Sequence, residues 1–331
     1  MGRMHLVLPF AGPGAGADPR ALAGLDLPHL ERLLALLTAA APQDGDAGDE
    51  LDLSPPHERV LARARGWPLA DGLLPLAAAA AAADGVRLPD DPQRGVAWLH
   101  PVHWHMGTEQ VSLTDPATLD LSEAEAQALF DALRPLAEDE GYTLHRARPT
   151  RWYLTHERLA RLPCASLDRV VGRNVDPWLN SHPDALRVRR LQAEAQMLWH
   201  AHPVNAAREA RGLQAINSFW LSGGGPRLTT DAARTGRAGA ATTVPEPELV
   251  EHLRAPALAG DLAAWVQAWQ RMDALTLAPL LEAARAGQAV TLTLCGERHA
   301  RSWQRAAGSL SLWQRLRPGA RQPARPVLEA L

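Results

Sequence analysis

The sequence predicts an α/β protein whose core is assembled from both ends of the chain around an inserted α+β segment. Three observations carry that reading. Near the N-terminus the apolar run 5–8 is a short strand emptying into the glycine- and proline-rich loop 11–18, with a helix over about 28–38 behind it. Near the other end a helix over 262–272, carrying Trp265 and Trp269, precedes the β-branched strand 290–294. Between them the texture changes at Gly95. Residues 96–106 alternate, placing Trp98, His100, Val102, Trp104 and Met106 on one face of a strand and Leu99, Pro101, His103 and His105 on the other. The core is therefore expected over 1–94 and 216–331, and the insert over 95–215.

Local patterns fill in the remainder. Ser54 precedes two prolines and reads as the cap of a helix reaching about residue 65. The alanine-rich stretch 73–83 is a packed helix ended by Asp84-Gly85. Residues 118–136 form an amphipathic helix; Ser122 and Glu125 make a capping box, and Leu129, Leu133 and Leu136 mark its buried side. Strand character returns over 142–154, where Arg151 offers a planar fork to a phosphate or carboxylate and equally a stacking partner to an aromatic face. Asn174 and Asp176 lie in the turn-rich passage 161–176.

The densest stretch is 202–225. A helix over 184–201 carries the stripe Val188, Leu191, Ala195, Leu198 and His202, and Pro203 stops it. Asn205 reads as the cap of a short second helix that Gly212 ends. Phe219, Trp220 and Leu221 are a buried strand, and the glycines 223–225 at its exit would let backbone N–H groups approach a ligand. His202, Asn205, Arg208 and Asn217 are accordingly candidate binding residues. Loop 226–247 is irregular, and 315–326 reads as a mobile surface tail.

With 331 residues there is enough chain for a large core with an inserted domain. The net charge of −3, with arginine as its only basic residue besides histidine, gives no electrostatic case for nucleic acid. Cys164 and Cys295 have no partner spacing, which fits buried thiols in a reducing compartment. The apolar run 73–83 is too short to span a membrane and no signal peptide is evident, so the expected location is the cytoplasm. His103 and His105 share a strand face at a spacing that holds zinc only if Glu109, His200 or His202 supplies a third ligand. The acidic segment 43–52 lacks the ligand order of a calcium loop and reads as solvated.

The pattern His202-Pro203-Val204-Asn205, two residues, Arg208, three residues, Gly212-Leu213, three residues, Asn217, then a strand with glycines, resembles the archaeal-type cofactor-independent phosphoglycerate mutases of the alkaline phosphatase superfamily. The chain as a whole resembles a bacterial group of RpfE-type regulatory proteins, also described as phosphoglycerate mutases, over 97–221 and 290–303. The resemblance implies a three-layer alkaline-phosphatase-like core. Ligands would be held at the carboxyl ends of its strands and in a cleft where Phe10, Ser54, Gly223 and residues 297–299 gather. It places Ser54 near the family's phosphoryl-accepting serine, Arg151 at a substrate-region arginine and His299 near the last metal cluster. The departures are as informative. Pro9 and Phe10 stand where the family's first strand ends in a metal-binding aspartate, Leu99 and Pro101 replace an arginine and an asparagine, and the aspartate-histidine motif expected before the Trp265 helix has no counterpart.

The function expected is that of a diverged phosphoglycerate-mutase-like protein, without the usual metal ligands, acting as a binding or regulatory module for a small phosphorylated or carboxylated metabolite. It needs no cofactor. The alternative is an active mutase or metal-dependent phosphohydrolase with a relocated divalent-metal site and Ser54 as nucleophile. A third class is a structural protein docking a partner chain through tryptophans such as Trp220.

Overall fold

A computed structural model describes residues 4–14, 22, 24–91, 93–108, 110–179, 181–227, 246–308 and 320–331. In chain order its strands are β1 (Met4–Leu8), β2 (Thr38–Ala39), β3 (Gly95–Val102), β4 (Trp104–Met106), β5 (Val111–Leu113), β6 (Thr143–Arg148), β7 (Arg151–His156), β8 (Ser218–Gly225), β9 (Glu248–Leu249), β10 (Val290–Cys295) and β11 (Ala300–Arg305). The helices that matter below are α1 (Pro28–Leu36), α2 (Pro56–Ala64), α3 (Leu76–Ala80), α4 (Glu123–Asp139), α5 (Leu167–Val170), α6 (Ala185–His200), α7 (Pro203–Ala210), α8 (Leu262–Met272), α9 (Ala278–Arg285) and α10 (Arg325–Leu328). The fold is α/β, and the chain divides into two units, 1–50 with 55–67 and 239–331, and 51–54 with 68–238.

The first unit is built on a five-stranded sheet of order β2-β11-β10-β1-β9. β1 runs parallel to β10 and β9, whereas β11 returns antiparallel beside β10. A strand with parallel neighbours on both sides must be covered on both faces, and Leu6, Val7 and Leu8 are accordingly buried without alternation. Leu6, Leu8, Leu292 and Leu294 join α1, α8 and α9 in the main core, while Val7 and Cys295 pack with Val60 of α2 on the opposite face. That is a three-layer α/β/α arrangement. Helix α8 runs through a π-turn, Asp273–Leu277, into α9. The turn puts the Asp273 carboxylate at the start of α1, where Leu30 N–H donates to Oδ1 at 2.8 Å and His29 Nδ1 lies 2.8 Å from Oδ2. A carboxylate there satisfies main-chain donors that the helix itself cannot.

The second unit has an antiparallel sheet of order β6-β7-β3-β8 and a small β4-β5 ribbon. One sheet face carries Ala97, Leu99, Trp152, Leu154 and Phe219 against α4 and α6. The other packs Val96, Trp98 and Tyr153 against α3. Helix α4 begins with the expected capping box between Ser122 and Glu125. The unit's limits differ from the boundaries expected at 95 and 215. Strand β8 hydrogen-bonds to β3 along most of its length, so 218–225 belongs here, and 68–94 joins it through α3.

Other differences have local causes. The predicted strand 96–106 breaks at His103, and its second half pairs with β5 instead of continuing in the main sheet. The 142–154 strand is a hairpin turning at Pro149-Thr150. The glycines 223–225 lie inside β8, not beyond it. In the described part of the expected tail, 320–326, only Ala324 is buried, and Val327 and Leu328 just beyond it pack into the first core. The rest of that tail through 319, Glu109 and most of loop 226–247 lie outside the described residues. Among the described residues no helix is long and apolar enough to cross a membrane.

Candidate functional site

The motif 202–217 lies in the second unit, and its polar side chains converge on their own backbone. Pro203 opens α7 at its first position, which makes the preceding residue the cap: His202 Nδ1 accepts from Val204 N–H at 3.2 Å. Asn205 is therefore not the cap. It sits one turn in, 2% exposed, donating through Nδ2 to the carbonyls of Trp199 and Ile216 at 2.8 Å each, while Oδ1 accepts from Ile216 N–H at 2.8 Å. Its carboxamide ties the end of α6 to the strand entry.

Arg208, 0% exposed, clamps a second junction. Nε donates to Gln214 O at 2.8 Å, Nη1 to Asp120 O at 3.2 Å and Glu125 Oε2 at 2.9 Å, and Nη2 to Leu119 O. Asp120 is held at φ 47, which aims its carbonyl at the guanidinium. Burial pushes the Glu125 carboxyl up, but the Ser122 main-chain and hydroxyl donors, Arg211 and Arg208 outweigh it and hold it below the usual carboxylate range. Asn217 makes a two-way bond with the Trp104 backbone, accepting from N–H at 2.7 Å and donating to O at 2.9 Å. Asn205, Arg208 and Asn217 are expected to meet a ligand; here Asn205 and Asn217 meet main chain, and Arg208 meets main chain and the Glu125 carboxylate.

The glycines serve packing. A Cβ at Gly223, where φ is +59, would lie 2.5 Å from the Trp98 ring. One at Gly224 would meet Cys164 Sγ at 2.9 Å, and one at Gly225 the Leu73 carbonyl at 2.9 Å. The close approach of a neighbouring strand's side chain at Gly223 and of loop residues at Gly224 and Gly225 requires them.

Arg151 and Arg148 both reach Asp84 Oδ1, at 2.6 and 3.0 Å, and Tyr153 hydroxyl donates to Oδ2 at 2.5 Å. Burial raises the Asp84 carboxyl, but Tyr153 and the arginines overcome it and leave it lowered; burial and the Asp84 bond push the Tyr153 phenol up to about 12. The Arg151 guanidinium also lies 5.6 Å from the centre of the Trp98 ring, so its face and one nitrogen of its fork are engaged. Asp84, read in the sequence only as a helix stop, is the missed member of this cluster.

Ser54 belongs to the second unit and is 2% exposed; its Oγ accepts from Gly72 N–H at 2.8 Å and its own N–H donates to Asp71. Pro55 caps α2, so Ser54 is not the helix cap. His103 Nδ1 donates to Ala215 O at 2.8 Å, whereas His105 is exposed on β4. The chain fold thus gives the two histidines different tasks. Among the described residues no group of three or more His, Cys, Asp or Glu side chains could hold a metal ion.

In the first unit, the carboxyl ends of β1 and β10 are where a parallel sheet places its ligands. Ala11 N–H donates to Cys295 O at 2.8 Å, and Phe10 adopts φ 56 to make the turn. The carbonyls of Phe10 and Ala11 accept from the indoles of Trp265 and Trp269 at 2.9 and 3.3 Å. Leu331 covers Gly296: a Cβ there would fall 2.5 Å from its backbone carbon, and Leu331 O accepts from His299 N–H at 3.0 Å. The tip residues Pro9, Phe10 and Gly296 carry no side chain that ligates a divalent metal, and Glu297 and His299 just beyond Gly296 belong to no group of three or more possible ligands among the described residues. His299 contributes backbone bonds to this junction.

No protein-family model matches the chain, and no curated protein matches it. Among solved structures, the PH0037 protein from Pyrococcus horikoshii aligns over 93% of this chain and 88% of its own, at 14% identity and a TM-score of 0.47. The cofactor-independent phosphoglycerate mutase from Thermoplasma acidophilum aligns over 93% and 91%, at 12% identity and a TM-score of 0.36.

Proposed function

We propose that this chain is a diverged relative of the archaeal-type cofactor-independent phosphoglycerate mutases, of the RpfE-type group, that acts in the cytoplasm as a noncatalytic binding or regulatory module for a small phosphorylated or carboxylated metabolite. The observation carrying this reading is the state of the β1 and β10 tips. Where the resemblance calls for metal-binding carboxylates, the chain offers a proline, a phenylalanine and a glycine, and it covers that glycine with Leu331. Ser54 supports the same reading. A serine that attacks phosphorus must be open to its substrate, and Ser54 is 2% exposed with its oxygen accepting a main-chain N–H in a buried turn.

The test is titration of the purified chain with Mn²⁺ by calorimetry, followed by assay of 3-phosphoglycerate conversion to the 2-phospho isomer with Mn²⁺ present. The expected result is no saturable metal binding and conversion at background. Metal-dependent turnover that falls on Ser54→Ala would overturn the proposal in favour of an active mutase or phosphohydrolase.

A further inference from the structure

We infer that His29, held by Asp273 and followed on its helix by Arg32, is a phosphoryl-accepting histidine, a modification site that takes its group from a small activated phosphate. This goes beyond the reading above, because it rests on α1 and the π-turn alone and does not depend on what the β1 and β10 tips have lost. His29 and Asp273 meet where the start of α1 packs on the π-turn Asp273–Leu277. Turns of that kind inside a helix recur at functional sites.

Capping α1 does not by itself call for a histidine. The Asp273 carboxylate, 4% exposed, already accepts from the His29 and Leu30 main-chain N–H groups at 3.1 and 2.8 Å, and any residue but proline at position 29 would supply the first of these. The further bond, from the ring Nδ1 to Oδ2 at 2.8 Å, acts on the imidazole instead. A neutral ring that commits its Nδ1 proton to a carboxylate keeps its lone pair on Nε2, and a buried carboxylate fixes where that lone pair points. Asp273 is the ring's one hydrogen-bond partner among the described residues, and the His29 side chain is 30% exposed, within reach of a solute. A nucleophile oriented in this way by a third group is a recurring arrangement in covalent chemistry.

Arg32 indicates which group is accepted. Residues three apart on a helix are neighbours, and a helical side chain leans toward the helix start, the side on which His29 lies. The Arg32 Nε is buried and has no hydrogen-bond partner among the described residues. A buried donor left unpaired is costly until an acceptor arrives, and the acceptor a guanidinium fits best is an oxyanion. A phosphoryl group keeps negative charge on its oxygens throughout transfer, so an arginine beside the nucleophile favours it over an uncharged acyl group. In the step, the Nε2 lone pair bonds to phosphorus as the P–N bond of zwitterionic phosphoramidate breaks. Ammonia leaves with the donor's own protons, the Nδ1 proton stays on the ring, and the resulting positive ring faces the Asp273 carboxylate.

The test is incubation of the full chain with phosphoramidate. Tandem mass spectrometry locates the phosphohistidine, phosphorus NMR tells the two ring nitrogens apart, and exposed His105 is the reference within the same molecule. His29 should be labelled about tenfold faster than His105, the rate advantage that one charge-assisted contact confers, and at Nε2. Arg32→Gln should reduce that preference to about twofold or less. Asp273→Asn, whose amide oxygen can still accept one main-chain bond, should do the same; should it melt early, Arg32→Gln decides alone. Equal labelling of His29 and His105, label on Nδ1, or a preference that survives Arg32→Gln or a folded Asp273→Asn would each overturn the assignment. None of these outcomes bears on manganese binding or mutase activity, so the two proposals fail separately.

Discussion

The Arg208 junction and the tips of β1 and β10 solve the same problem by opposite means. At the first, carbonyls of Leu119, Asp120 and Gln214 are gathered around one long charged side chain that arrives from α7. At the second, the carbonyls of Phe10 and Ala11 are capped by neutral indoles, and the remaining gap is closed by main chain approaching a glycine. The charged solution concentrates many bonds on one residue; the neutral one spreads them over several. A charged clamp should consequently be the more fragile of the two, because its removal leaves every partner unsatisfied together.

The largest effect is expected at that clamp. Arg208→Met should destabilise the chain by about 3–5 kcal/mol, since it strands buried carbonyls and the Glu125 carboxylate. Urea denaturation measures this, and Arg211→Met, from an exposed partner of the same carboxylate, should cost under about 1 kcal/mol. Equal losses would erase the contrast between a clamp and a surface pair.

The first unit has its own buried titratable group. His5 lies in the sheet with Nε2 2.9 Å from Thr293 Oγ1, and burial, helped by Arg63, lowers its pKa from 6.5 to about 4. A depressed histidine is neutral in the fold and binds its proton more readily when unfolded. Its contribution is therefore complete above pH 6.5 and declines as the pH falls from 6.5 toward 4, by up to about 3 kcal/mol. Stability measured across that window should lose part of its slope in His5→Gln. An unchanged slope in the His5 variant would remove the histidine from the account.

A smaller cost, about 1–3 kcal/mol, is expected for Gly223→Ala, which combines a left-handed backbone with overlap on Trp98. Gly212→Ala has a similar φ of +74 but open space around it, and so isolates the backbone share. If the two variants melt together, the Trp98 contact contributes nothing.

What could be read from the sequence was what is local. The Ser122 and Glu125 capping box and the helix Leu262–Met272 appear where expected because their determinants lie within one or two turns. The two cap errors share one cause that the sequence did contain. Proline at the first helical position fixes the cap as the residue before it, which makes His202 and Pro55 the caps in place of Asn205 and Ser54. The partners of Arg208 could not be read this way, since Leu119, Asp120 and Glu125 lie more than 80 residues upstream. A dense cluster of arginine, asparagine and glycine reports that many hydrogen bonds are needed; it does not say whether a ligand or the protein supplies the other half. Asp273 shows the same limit, because a π-turn and a reach of 244 residues bring it to His29.

The placement of β1 has a consequence for how the protein is made. This strand leaves the ribosome before both neighbours that flank it, β9 and β10, which begin more than 240 residues later. Every strand of the antiparallel sheet emerges in the interval. The second unit can thus finish folding while an apolar segment of the first still waits for its mates, so yield in the cell should depend on shielding that segment through synthesis.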